Sequence, residues 1–230
     1  MEIRFSLSTT NLLISINILL FIFAQFLSVI IGGPFATLEA LDLLGADNFI
    51  AVRDGEIWRL ITSTFLHANF LHLAFNMYAL FIFGGYFENR YGGKKLFILY
   101  IFSGIAGSLA SLLWEGMRVY LLDINTINIG VGASGALFGI LGFLLLSRDY
   151  YLDKSRLYIL LALNLMIGFM FPNIDNMAHL GGLFSGMLLA FFGDRMGVNL
   201  DRPIYYKFSL LLFGLSFIAL FISITFKIFA

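Results

Sequence analysis

Apolar residues run along this chain in long blocks, and the breaks between them are short and polar. A helix needs about 20 apolar residues, at 1.5 Å of rise each, to cross roughly 30 Å of hydrocarbon. By that measure seven spans are predicted: Leu12 to Ile31, Ala68 to Phe87, Leu96 to Leu113, Ser134 to Ser147, Leu157 to Phe171, Asn176 to Phe192, and Phe208 to Phe226. No polar stretch is long enough to build a separate soluble core, so a single membrane domain is expected. The longest break, residues 32–67, contains "GGPFATLEALDLLG" and "AVRDGEIWRL". Its Leu, Phe and Trp among scattered charges predict a segment lying in the membrane interface.

Seven spans with a cytoplasmic N-terminus put Arg4, Arg90, Lys94, Lys95, Arg148, Lys154, Arg156, Arg195, Arg202 and Lys207 inside. Only Arg53, Arg59, Arg118 and Lys227 then fall outside, which is the bias expected of that orientation. The fourth span is unusually short. Its 14 residues make about 21 Å of helix, and Arg148 and Asp149 pin its end to the cytoplasmic surface. Ser134 must therefore start roughly 10 Å below the outer face. A helix start at that depth is tolerated only beside protein or a wet cavity, so "RVYLLDINTINIGVG" is expected to fold down as a loop to reach it.

Composition narrows the chemistry. Hydrophobic residues make up 60% of the chain and charged ones 12%, with a mean hydropathy of +0.93; a soluble domain keeps roughly a quarter of its residues charged. The formal charge is zero, so nothing points to nucleic acid. With no cysteine, thiolate catalysis, thiolate metal sites and disulfides are excluded together. The first apolar run lacks an evident cleavage site and reads as a retained span.

Few polar residues lie inside the spans: Asn17, Gln25, His72, Asn76, Asn164 and His179, with Ser134 at the mouth of the fourth. The missing intramembrane acids disfavour a pump, a transporter or an aspartyl pair. Three histidines without nearby acids or an HExxH string make a poor metal site. What remains is a hydroxyl and imidazoles. Ser134 follows Gly132 and precedes Gly135, which permits a sharp turn and a close neighbour, and its N–H sits at a helix N-terminus. His179 begins the sixth span, with Gly182 and Gly186 forming a G-x-x-x-G face on its side. His72 and Asn76, four residues apart, share a helical face at the same outer depth and are natural donors to an oxyanion. Each feature alone also fits plain helix packing; the common depth of all four polar groups is what favours chemistry.

These residues resemble the rhomboid family of intramembrane serine proteases. "GASGALFG" around Ser134, "HLAFN" from His72 to Asn76, "AHLGGLFSG" from His179 to Gly186, "EIWRL" with Trp58 and Arg59, and "GGYFENRYG" with Glu88 all resemble family motifs, in the family's order. The resemblance covers about residues 50–195. It implies an all-α polytopic fold with a six-helix protease core in 1–195, followed by a connector and a seventh helix in 196–230. It further implies a dyad of Ser134 as nucleophile and His179 as base and then acid, and an oxyanion hole from His72, Asn76 and the Ser134 N–H. Trp58 and Arg59 would be structural in the first loop, and the fifth span with "FPNIDNMA" would be the gate. Substrates would be transmembrane helices cut near the outer face, with no cofactor or metal, and lipid as the surrounding partner. Many members carry Tyr four residues after the serine. Here it is Phe138, which falls on the Ser134 face and can stack on His179 without holding it through a hydroxyl.

Two other classes stay open at this stage: a catalytically silent relative that binds transmembrane clients, and a channel or transporter, for which no inverted repeat is visible. The brief tails and the lack of a transit peptide lead to the expectation of a prokaryotic inner membrane, with the C-terminus and the active-site opening outside. Oligomeric state is left open by the sequence.

Overall fold

The structure is a computed structural model, and it describes residues 8–121, 129–171, 174–195 and 200–229. Among these, five helices are long and apolar enough to cross a membrane: Thr9–Ile31, Phe70–Tyr91, Gly93–Leu121, Asn176–Gly193 and Pro203–Thr225. In chain order the elements are α1 (Thr9–Ile31), α2 (Ala36–Leu43), β1 (Asp47–Asn48), α3 (Phe49–Arg53), α4 (Arg59–Thr62), α5 (Phe70–Ala79), α6 (Gly85–Tyr91), α7 (Gly93–Leu121), β2 (Ile129–Gly130), α8 (Ser134–Leu146), α9 (Lys154–Met170), α10 (Asn176–Ala190) and α11 (Pro203–Phe229). A π-helical turn, Leu80–Gly84, makes α5 and α6 one continuous rod.

The predicted spans differ from these helices mainly at their ends. The third continues eight residues past Leu113, because Glu115 is buried and paired with Arg118 at 2.8 Å, so "RVYL" is helical. Most of the remaining connection, 122–128, lies outside the described residues, as do Pro172 and Asn173 of the cap and 196–199 of the connector. α8 and α9, at 13 and 17 residues, fall short of the five long helices.

α8 is the centre. Eleven of its residues, Gly135 through Leu145, are buried, as befits a helix that is apolar all round. It is packed by α10 and α7, and the contact is made possible by glycine. A Cβ on Gly182 would fall on the Gly135 carbonyl, one on Gly186 on the Gly139 carbonyl, and one on Gly142 on the Leu183 carbonyl. Lipid removes the hydrophobic drive between helices, so close van der Waals approach is what holds them.

Polar contacts tie the outer helices on. The Glu88 carboxylate accepts from the Thr9 and Thr10 N–H groups at 2.7 and 2.8 Å and from the Thr10 hydroxyl, satisfying the start of α1. Asn17, fully buried in α1, donates to the Tyr100 hydroxyl on α7, which donates on to the Thr64 carbonyl. Phe65 packs between Tyr100 and the α11 rings Phe213 and Phe217, at 5.4, 5.4 and 6.0 Å. The long break between α1 and α5 thus folds as short helices against the bundle. A two-stranded pairing, Asp47 with Gly130 and Asn48 with Ile129, joins it to the segment before α8.

Gly186→Ala forces two backbones apart and should destabilise the protein by about 1–3 kcal/mol. Gly214→Ala, where nothing lies within 4 Å, should stay within about 0.5 kcal/mol of wild type. Unfolding of both variants in mild detergent measures the contrast.

Candidate active site

Several helix starts here are closed by a side chain. Ser8, Asn69, Asp153 and Asp175 cap α1, α5, α9 and α10. The start of α8 is not: its N-cap is Ala133, which offers no oxygen. The first-turn N–H groups of α8, beginning with Ser134, are left for another acceptor, and the helix dipole favours negative charge there.

Gly132 shapes the approach. Its φ of +131° is a conformation that side chains rarely adopt, and its N–H donates to the Ser63 carbonyl at 3.0 Å. A Cβ built there would lie 2.7 Å from His72 Nε2 and 3.8 Å from Ser134 Oγ. The bare glycine therefore lets the His72 ring and the Ser134 hydroxyl share one space. His72 is set by its own helix, its N–H donating to Asn69 Oδ1 at 2.9 Å. Asn76 is buried one turn later, and its amide donates back to the His72 carbonyl at 3.0 Å.

His179 lies in the first turn of α10, buried, its N–H donating to the Asp175 carbonyl. Its ring stacks on Phe138 at 4.2 Å with only 6° between the planes. Ser134 and Phe138 are one turn apart on α8, so the stack brings imidazole to the serine face. The ring's Nδ1 is buried without a hydrogen-bond partner. Gly135 stands next to both the Ala178 carbonyl and Gly107 of α7.

His67 packs its edge on His72 at 5.0 Å, fully buried with neither ring nitrogen paired. Burial and the neighbouring His72 push its pKa down to about 3, so it stays neutral. Trp58 and Arg59 stand apart from this cluster. Arg59 is 1% exposed and donates to Glu56, Asp42 and the Ala46 carbonyl at 2.6, 3.0 and 2.6 Å, while the half-buried Trp58 hides its indole N–H without a partner. Among the described residues no group of three or more His, Cys, Asp or Glu could hold a metal.

Two carboxyls near the cluster escaped the sequence reading. Asp175 carried a signal, since an Asp directly before an apolar helical run marks an N-cap. Asp47 carried none: it is buried by pairing with Gly130, far along the chain.

Residues 54–195, more than half of the chain, match the rhomboid domain family. The chain belongs to the rhomboid family. Rhomboid relatives include RHOMBOID-like protein 5 of Arabidopsis thaliana, 38% identical over 75% of this chain and 53% of that protein. The Rhomboid protease GluP of Bacillus subtilis (strain 168) is 37% identical over 79% and 34%. The Rhomboid protease AarA of Providencia stuartii is 34% identical over 81% and 74%. The chain spans about a third to a half of the length of the first two. Membership together with the five long apolar helices makes it an integral membrane protein.

If Gly132 is bare to make room for His72, Gly132→Ala should cost about 1–3 kcal/mol, and part of that should vanish in a His72→Ala background. A double-mutant cycle on unfolding free energy should give a coupling of about 0.5–3 kcal/mol; strict additivity would show that the two do not press on each other.

Proposed function

We propose that this rhomboid chain is an intramembrane serine endopeptidase that uses Ser134 and His179 as a dyad. The observation that carries the reading is the start of α8, where Ser134 opens a helix with no side-chain cap and the His179 imidazole stacks on Phe138 one turn further along. A serine needs a base within reach to become a nucleophile. In the proposed step His179 takes the proton from Ser134 as its Oγ adds to the scissile carbonyl. The C–N bond then breaks, and the same proton passes to the leaving amine. Water hydrolyses the acyl-serine with His179 again as base. The unpartnered Nδ1 of His179 speaks for a dyad, because an acid in the third position would accept a hydrogen bond from it.

Negative charge on the tetrahedral oxygen would be met by the Ser134 N–H, the His72 ring and the second N–H of the Asn76 amide. Such preoriented donors supply the largest electrostatic share of acyl-transfer catalysis. Seven spans are proposed, with α8 and α9 as the two short members and the N-terminus cytoplasmic, supported by the charge bias of the loops. The core is 1–195 and α11 follows it. On this topology α8, about 20 Å long, opens Ser134 to a cavity reached from the outer face. The proteins cleaved would be transmembrane helices, cut near that face.

The purified protein should react with a fluorophosphonate and cleave a fluorogenic single-span peptide, and both activities should vanish in Ser134→Ala. A folded wild type that does neither would make the chain a binder of transmembrane clients. His72→Ala and Asn76→Ala should each lower kcat by roughly 10²- to 10³-fold with the fold retained. Unchanged turnover in both would remove them from the oxyanion hole.

A further inference from the structure

A polar cavity beside Ser134 is lined by two carboxyls that the dyad does not use. This cavity of about 40 Å³ is lined by Asp47, Ser63, Ser108, Asp175 and Ser134, which is room enough for water. Three parts of the fold meet on it. β1 brings Asp47, paired with Gly130 just ahead of Ser134. α7 brings Ser108, and the Ser111 hydroxyl donates to Asp175. Asp175 begins α10, capping it through the Ala178 N–H at 2.9 Å. Asp47 is 4% exposed, and its Oδ1 has no hydrogen-bond partner.

We propose that Asp47 and Asp175 are a positioning pair: they hold one proton between them across this cavity, carried on Asp47, and so fix the first loop and the Ser134 segment against the start of the His179 helix. The stability side of this stands by itself, while its effect on turnover rests on the dyad reading above.

The placement of the proton follows from the partners. Asp175 is already occupied, accepting from the Ala178 N–H and the Ser111 hydroxyl at a helix N-terminus. Asp47 has an idle oxygen and is almost wholly buried. Burial pushes its pKa up to about 8, the Asp175 charge adds to this, and the Ser108 hydroxyl and Arg59 oppose it. The other charges on elements packed around Asp47 are engaged: Arg59 of α4 with Glu56 and Asp42, Glu115 of α7 with Arg118, and Arg53 of α3 with Asp54. Asp175 faces Ser111 of α7 and His179 of its own helix. Two carboxyls on one small cavity resist ionising together.

The sign follows by linkage. Asp47 keeps its proton to about pH 8 when folded but sheds it near 3.8 when unfolded. Stability from the pair is therefore complete below pH 3.8 and declines as the pH rises through about 8.

Thermal unfolding in detergent from pH 5 to 9, in the Ser134→Ala background, tests this without self-cleavage. Tm should fall by at least about 4 °C across the range, and Asp47→Asn, a neutral shape mimic, should flatten the curve. Asp175→Asn keeps the cap but removes the repelling charge, so it should flatten the curve in part; it carries the test if Asp47→Asn does not fold. Parallel curves for parent and variant overturn the proposal. So does a calcium-induced rise in Tm that Asp47→Asn abolishes, which would give the pair a cation in place of the proton. In the active chain the alkaline fall of kcat should weaken in Asp47→Asn. Flattened stability curves in a protein that cleaves nothing would leave the pair standing and remove the protease.

Discussion

α8 and α10 meet backbone to backbone: the carbonyls of Gly135 and Gly139 occupy the places where side chains of Gly182 and Gly186 would begin, and the Leu183 carbonyl does the same at Gly142. Contacts of this kind repeat every turn and allow only one register, since a slip of a single residue would drive a side chain into a carbonyl. In lipid, where burying apolar surface gains nothing between helices, such fit is the main source of cohesion. The rest of the site depends on it. Once Gly182 sits on Gly135, His179 one turn earlier must lie over the first turn of α8, and Phe138 provides the flat surface that receives its ring.

A second constraint acts on the same helix. α8 is too short to reach both sides of a bilayer, and its start is closed by no side chain. Ser, Asn and Asp close the starts of α1, α3, α5, α9 and α10, whereas α8, the most buried helix of the bundle, begins without such a partner. An unpaired helix start costs stability in an apolar setting. It is also an electrostatic resource, already oriented before any charge develops, and under the proposed acyl transfer a defect in folding would become an advantage in catalysis.

Much of this was legible in the residues. Block length announced the long helices, and the polar residues within them were few enough to single out Ser134, His179, His72 and Asn76. The glycine spacing of α10 marked its packing face. The ends of helices were less legible. α7 runs to Leu121 because Glu115 is buried with Arg118, and a hydropathy count treats that pair as an interruption. Asp47 could not be read at all: its burial comes from a strand partner more than 80 residues away, and nothing beside it in sequence reports that contact. The role of Phe65 was hidden for the same reason, since its neighbours Tyr100, Phe213 and Phe217 come from distant helices.

α9 is the least attached of the helices around the site. Only Leu157 and Gly168 are buried among its 17 residues, and Gly168 rests against the Asn176 amide at the head of α10. Peeling this helix away would exchange methyl and ring contacts for acyl chains of equal polarity, so the solvent offers almost no resistance. What would resist is the bilayer itself, which must make room for a helix and seal the gap behind it. The ease of that movement then becomes a material property shared with the surroundings: acyl-chain length, lateral pressure and curvature would set it as much as any residue does.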